Sequence, residues 1–169
     1  YFAKTISEYQ EGFTSHGELW LGLDNLAQLT GSDSWELWVE LTPWGTGLVQ
    51  PKKLSAFYSS FKVGKGPSYQ LTVAGFDSTR STLGDALKYH NGRKFSTRDK
   101  DQDSDSSRGC SQTYGNGGWW YNSCYHNNIN GNNYIEETEQ DKGISWEVKE
   151  SLPLTYHFKE SSILIIRKN

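Results

Sequence analysis

Apolar and polar positions alternate most clearly in Trp35-Glu-Leu-Trp-Val-Glu-Leu41, where 35, 37, 39 and 41 are apolar and glutamates stand at 36 and 40. A period of two with one apolar face predicts a half-buried strand. Phe57, Phe61 and Val63 share one phase around Ser59 and predict a second strand. Tyr69, Leu71 and Val73 predict a third, closed by Gly75. Near the start, Ser7-Glu-Tyr-Gln10 reads as a capping box that opens a short helix ending at Gly12. Asp85 to His90 predicts a helical turn before the Asn91-Gly92 turn signal. Ser162-Ile-Leu-Ile-Ile-Arg167 is a continuous apolar run, fit for the middle of a sheet, and ties the C-terminus down. The pattern is that of mixed α and β.

From about Phe95 to Asp141 the alternation disappears, and Asp, Asn, Ser and Gly dominate. A loop this long inside a compact domain needs something to hold it. Aspartates alternate at 99, 101, 103 and 105, an arrangement that suits a hard cation taking several oxygen ligands at once. An EF-hand is excluded. Counting from Asp101, its glycine position is Ser106 and its glutamate position Gln112; counting from Asp99, they are Ser104 and Cys110. Two readings stay open, a different calcium loop or a solvated acidic turn neutralised by Arg98, Lys100 and Arg108. Cys110 and Cys124 lie in this polar region, whereas an unpaired structural cysteine usually sits in apolar sequence. That predicts a local disulfide, worth roughly 3 kcal/mol for a loop of this size. Two free thiols in a reducing compartment are the alternative.

Length, charge and composition narrow the classes. At 169 residues the chain is one domain with room for a core. A net charge of −3 without a basic cluster argues against a nucleic-acid surface. No apolar run approaches the roughly 18 residues of a membrane span. Tyr1 is not a natural start, which leaves room for a removed leader. Seven tryptophans, ten tyrosines and seventeen glycines describe a loop-rich domain anchored by aromatics. Asp85, His90 and Ser96 can be assembled as a hydrolytic trio, but no nucleophile-elbow or metal-ligand spacing supports them, and an enzyme is not expected.

Phe95-Ser-Thr-Arg-Asp-x-Asp-x-Asp, then Gly117-Gly-Trp-Trp-Tyr-Asn-Ser-Cys124, then Asn128-Ile-Asn-Gly131, closely resembles the fibrinogen C-terminal (fibrinogen-related) domain. That family includes fibrinogen chains, ficolins, tachylectins, tenascins and angiopoietins. Glu8-Tyr-Gln-Glu-Gly-Phe13, Gly17-Glu-Leu-Trp-Leu-Gly-Leu-Asp24, Tyr58-Ser-Ser-Phe61, His90-Asn-Gly92, Gly143-Ile-Ser-Trp146 and the closing Ile-Leu-Ile-Ile-Arg extend the resemblance in order along the whole chain. It implies an α+β fold, with a central, mostly antiparallel sheet, short helices and an irregular loop subdomain stapled by calcium and a disulfide. Residues 1–94 would hold the sheet-containing part, and residues 95–169 the calcium and ligand-pocket part with the C-terminal strand. The family's N-terminal subdomain is expected to precede Tyr1.

By position, the resemblance implies structural Ca2+ held by the side chains of Asp101 and Asp103 and by the carbonyls of Asp105 and Ser107. One extra residue before Cys110 allows the last two to slip by one. The family disulfide corresponds to Cys110–Cys124, and the peptide bond between Ser123 and Cys124 is expected to be cis. Tyr114, Trp120, Cys124, Tyr125 and His126 would line a ligand pocket; core packing of Trp119 and Trp120, and a plain exposed loop for His126, are the competing readings. Cys124-Tyr125-His126 stands where the family usually has Cys-His, and Gln140 and Leu152-Pro153 stand where cage aromatics are expected. The implied function is a secreted, calcium-dependent, lectin-like recognition module of innate-immunity type, binding glycans or acetylated groups. The alternative is a receptor-binding or matrix module that uses the same face against an extracellular protein. Homo-oligomerisation of the full-length protein is expected through segments outside this domain.

Overall fold

The computed structural model describes residues 1–44, 52–132, 142–146 and 156–168. Helix α1 (Ile6–Glu11) leads into a hairpin of β1 (Phe13–Ser15) and β2 (Glu18–Trp20), then helix α2 (Leu23–Ser32). Strands β3 (Trp35–Pro43), β4 (Leu54–Val63) and β5 (Leu71–Phe76) follow, with a 3₁₀ turn at Leu87–His90. After a short helix α3 (Cys110–Thr113) come β6 (Asn127–Asn128), β7 (Ser145–Trp146) and the long β8 (Tyr156–Arg167). Six strands form one antiparallel sheet in the order β5-β4-β3-β8-β7-β6. The C-terminal strand thus lies inside the sheet order, where its apolar run placed it.

The helix start differs from the expected one. Thr5 is the N-cap: its backbone N–H donates to Glu8 Oε2 at 2.8 Å, and its hydroxyl accepts from Glu8 N at 3.4 Å. The box is therefore Thr5–Glu8 rather than Ser7–Gln10. An N-cap must stand outside the helix with extended backbone, and Thr5 does so at ψ 164°. Gly12 ends the helix at φ +92°, where a Cβ would meet the carbonyls of Trp20 and Leu21 within 2.9 Å.

Two strand readings are corrected in detail. In β4 the buried positions are Ala56 and Tyr58, then Phe61 and Val63, so the parity switches near Ser59. Phe57 packs instead against Trp38 and under the Arg80 guanidinium. The switch falls opposite Gly75, whose φ of +67° brings its backbone against the Ser59 hydroxyl. Tyr69 stands outside β5, with φ +45°, because its hydroxyl is drawn to Asp24 Oδ1 at 2.6 Å and accepts from Gln10 Nε2 at 2.9 Å.

Helix α2 buries Leu23, Leu26, Ala27 and Thr30, one stripe at i, i+3, i+4 and i+7. The Thr30 hydroxyl donates to Leu26 O at 2.7 Å and accepts from Val63 N at 2.9 Å, which fastens the helix to β4. The other side of the core is aromatic. Tyr9, Trp20, Phe95, Trp119 and Trp120 form a run of ring contacts with centroids 5.0–6.4 Å apart. That cluster joins α1 and β2 to the irregular half, and so fixes the loops that follow.

Candidate functional site

The irregular half is built from side chains that stand in for a regular hydrogen-bond ladder. In the aspartate loop each carboxylate caps the turn after it. Asp101 Oδ1 accepts from Asp103 N at 3.0 Å, Asp103 Oδ1 from Asp105 N at 2.9 Å, and Asp105 Oδ1 from Ser107 N at 3.0 Å. Asp103 Oδ2 also accepts from Cys110 N at 2.8 Å, which folds the loop back on α3. Aspartates at every second position thus bend one segment into successive turns.

The four carboxylates are not equivalent. Asp99 faces the other way: its Oδ1 accepts from Ile6 N at 3.0 Å and from the Thr97 hydroxyl at 2.8 Å, so it holds the start of α1. Asp105 is committed to Ser107 and to Arg108 Nε at 3.1 Å, and these partners lower its pKa to about 2. Its side chain is thereby occupied, and its backbone carbonyl is the group left for a cation. Asp103 behaves oppositely. Burial raises its pKa, and the adjoining Asp101 carboxyl raises it further. Two carboxyls pressed together at partial burial are costly as anions, and a divalent cation removes that cost.

Asp105 also lies within 4.8 Å of the sulfurs of Cys110 and Cys124. Those sulfurs are joined to each other, with S–S 2.09 Å and Cα–Cα 5.4 Å, so the expected disulfide is present and neither sulfur is a thiolate. With both sulfurs bonded to each other and the Asp105 carboxylate engaged by Ser107 and Arg108, that trio holds no metal.

The disulfide leads directly to the second loop. The Ser123–Cys124 peptide is cis, as expected. Ser123 O accepts from the Tyr89 hydroxyl at 2.9 Å, Cys124 O from Asn122 N at 2.8 Å, and Asn122 O from Ser104 N at 2.9 Å. The last bond couples the aspartate loop to the loop around Cys124. Beneath them His90 is fully buried, with Nδ1 2.9 Å from Trp120 O. Its Nε2 is 3.1 Å from His126 N and 3.3 Å from Asn127 N, both donors. The ring is therefore neutral, with the proton on Nδ1, and burial lowers its pKa to about 3. Both nitrogens are occupied, and the Ser96 hydroxyl accepts from Gln102 N at 2.8 Å. No hydrolytic trio exists at Asp85, His90 and Ser96.

The expected pocket residues divide into three groups. Tyr114 and Tyr125 meet edge to face at 4.9 Å, and Arg108 lies 5.6 Å over the Tyr114 ring. His126 stacks flat on Tyr89 at 3.8 Å and 4°. Tyr89 had no sequence signal beyond its place before His90. Trp120, by contrast, is 2% exposed in the core, its Nε1 donating to Tyr69 O at 2.6 Å. It packs with Trp20, Phe95 and Trp119 rather than with the tyrosine pair, so core packing is its role. Gln140, Leu152 and Pro153 lie outside the described residues.

The described helices include none long and apolar enough to cross a membrane. A profile described as "Fibrinogen beta and gamma chains, C-terminal globular domain" matches residues 1–168. Human ficolin-3 is 39% identical over 148 residues, which is 86% of this chain and 46% of that protein. The chain thus spans about half the length of that relative. The fibrinogen-like globe domain of human ANGPTL6 superposes with a TM-score of 0.81 at 34% identity, covering 97% of this chain and 71% of the globe. Lamprey fibrin D-dimer, complexed with the peptide Gly-His-Arg-Pro-amide, superposes with a TM-score of 0.80 at 26% identity, covering 97% of this chain and 56% of that one. Fibrinogen-related domains of ficolins, tenascins and angiopoietin-related proteins are non-enzymatic recognition modules found outside the cell. With an antiparallel sheet, a Cys110–Cys124 staple and a match from end to end, this chain belongs to the fibrinogen C-terminal domain family, a family of non-enzymatic domains.

Proposed function

We propose that the chain is an extracellular recognition module in which structural calcium shapes a ligand pocket beside Cys124. The side chains of Asp101 and Asp103 and the carbonyls of Asp105 and Ser107 would hold the ion. The observation that carries this reading is the Asp101–Asp103 pair: partial burial raises the Asp103 pKa, and the neighbouring Asp101 carboxyl raises it further. A hard cation supplies the missing counter-charge there. Since Ser104 N donates to Asn122 O, ordering the aspartate loop also orders the carbonyl and N–H groups around Cys124.

The ligand we favour is a glycan or an acetylated group, as in the lectin members of the family. The half-buried, edge-to-face Tyr114–Tyr125 pair offers aromatic surface, which suits a sugar ring or an acetyl methyl. His126 contributes through its stack on Tyr89. A glycan array probed with the 169-residue chain, with calcium and again with chelator, tests it. Chelator-sensitive binding that Tyr125→Ala abolishes is expected; an array blank under both conditions rejects the glycan ligand. One observation favours a second reading: the lamprey neighbour is complexed with a short peptide. Cell-surface capture that free sugars do not compete would select a protein ligand at the same face.

A further inference from the structure

Three asparagines of this chain precede a glycine, in Asn91-Gly92, Asn116-Gly117 and Asn130-Gly131. An asparagine in that setting is chemically labile, because no Cβ shields the next backbone nitrogen and the glycine turns freely. That nitrogen can attack the side-chain carbonyl carbon and close a five-membered ring. The reaction needs a side-chain amide free to rotate and a following N–H free of other bonds. The three pairs differ on both counts.

Asn91 is fastened at both points: its Oδ1 accepts from Val73 N at 2.9 Å, and Gly92 N donates to Leu71 O at 2.8 Å. Asn130 is fastened and also buried, at 6% exposure. Its Nδ2 donates to Gly118 O at 2.8 Å, and Gly131 N donates to Asn128 O at 3.2 Å. Asn116 is exposed, and among the described residues neither its side-chain amide nor the Gly117 N–H has a hydrogen-bond partner. The turn around it is pinned by other atoms. Asn116 N donates to Ser111 O at 2.7 Å, and Gly117 O accepts from the hydroxyls of Ser111 at 2.8 Å and Tyr121 at 3.1 Å. Asn116 stands at φ +63°, a region that asparagine tolerates better than most residues, which accounts for its place in the turn without engaging its amide.

We propose that Asn116 is a spontaneous deamidation site of the folded domain, and that its isoaspartate product loosens the turn after Tyr114. Gly117 N bonds to Asn116 Cγ, the Cγ–Nδ2 bond breaks, and ammonia leaves with the hydrogen of Gly117 N, relayed by solvent. Water then opens the succinimide at either carbonyl, giving aspartate or isoaspartate. Isoaspartate routes the main chain through Cβ and Cγ and so inserts one backbone atom between residues 116 and 117. The turn has no slack for it. A Cβ on Gly117 would overlap the Asn130 carbonyl, and one on Gly115 would meet Lys142 O at 2.9 Å. Tyr114 ends α3 directly before this turn, and its carbonyl accepts from Asn128 Nδ2 at 3.0 Å. A lengthened turn therefore disturbs the seat of the Tyr114–Tyr125 pair. The chemistry is independent of the calcium and glycan readings.

Ageing the 169-residue chain at neutral and mildly alkaline pH, followed by peptide mass mapping and enzymatic methylation of isoaspartate, tests the proposal. Residue 116 should be modified at least about tenfold faster than residues 91 and 130, whose hydrogen bonds must open first, and faster still as pH rises. In urea all three should react at comparable rates. The aged chain should melt below the fresh one. Asn116→Gly, which suits a positive φ and carries no amide, should fold normally by circular dichroism and escape both changes. A folded chain unmodified at 116 while the unfolded chain reacts there, or one modified equally at all three positions, overturns the site. A chain modified at 116 that melts like the fresh one overturns the loosening of the turn.

Discussion

Acidification should destabilise this protein first through His90. The ring is fully buried, donates from Nδ1 to Trp120 O, and accepts at Nε2 from the N–H groups of His126 and Asn127. A second proton on Nε2 would face two donors, and burial, His126 and Arg93 all disfavour the cation. A histidine whose folded pKa is depressed contributes stability that is present above its unfolded pKa and lost as pH falls toward the folded value. Taking about 6.5 for the unfolded ring and about 3 for the folded one, linkage gives a loss of about 2 kcal/mol between pH 7 and pH 5. Carboxylates with lowered pKa, Glu8 and Asp105 at about 2, act at lower pH and leave that window clear. Urea unfolding of calcium-free protein at pH 7, 6 and 5 measures the slope. The same series on His90→Gln, which cannot titrate, should be flatter by that amount even though the variant starts less stable. Wild-type stability that stays level from pH 7 to 5, or a slope that survives in His90→Gln, would refute the assignment of a neutral, doubly engaged His90.

Other perturbations test separate parts of the structure. Asp103 has the opposite sign: its raised pKa makes the ionised carboxyl a cost in the metal-free fold, relieved as pH falls. Metal-free wild type should therefore gain stability relative to metal-free Asp103→Asn as pH falls, while the variant, left with one acceptor for Asp105 N and Cys110 N, loses any calcium response; a Tm difference that does not change with pH would contradict that. Replacing Cys110 and Cys124 together by serine should cost roughly 3 kcal/mol in urea unfolding, and an unchanged midpoint would show that other contacts already close the loop. Tyr69→Phe removes the hydroxyl between Asp24 and Gln10 and should cost about 1–3 kcal/mol; an effect below about 0.5 kcal/mol would mean that this bridge contributes little.

The regular half was legible because its periodicity reports burial directly. The alternation of Trp35–Leu41 predicted β3, and the apolar run at 162–167 predicted a strand within the sheet order. Helix α2 carries an equally legible stripe at Leu23, Leu26, Ala27 and Thr30, but Gly22 at its N-cap and Gly31 in its last turn interrupt the helical pattern. The misplaced cap and the β4 parity switch have a different origin. For the cap, Thr5-Ile-Ser-Glu8 fits the same S/T-x-x-E/Q pattern as Ser7–Gln10 and only the structure chooses between the two registers; the parity switch depends on Gly75 adopting positive φ, which a strand pattern does not encode. At the candidate site the residue types were visible and their division of labour was not. Whether Asp99 turns to α1 or Trp120 to the core is set by residues about 90 and 50 positions away in the chain. Tyr89, which holds Ser123 O and stacks on His126, gave no local signal because its role exists only once the two loops meet.

Calorimetric titration of calcium into the chelator-stripped 169-residue chain, repeated on Asp101→Ala, tests the central claim most directly. Saturable binding of one ion with a rise in Tm is expected, weakened about tenfold or more in Asp101→Ala and weakened further as pH falls through the raised Asp103 pKa. No binding heat and no stabilisation of the wild type, or equal binding by Asp101→Ala, would contradict it.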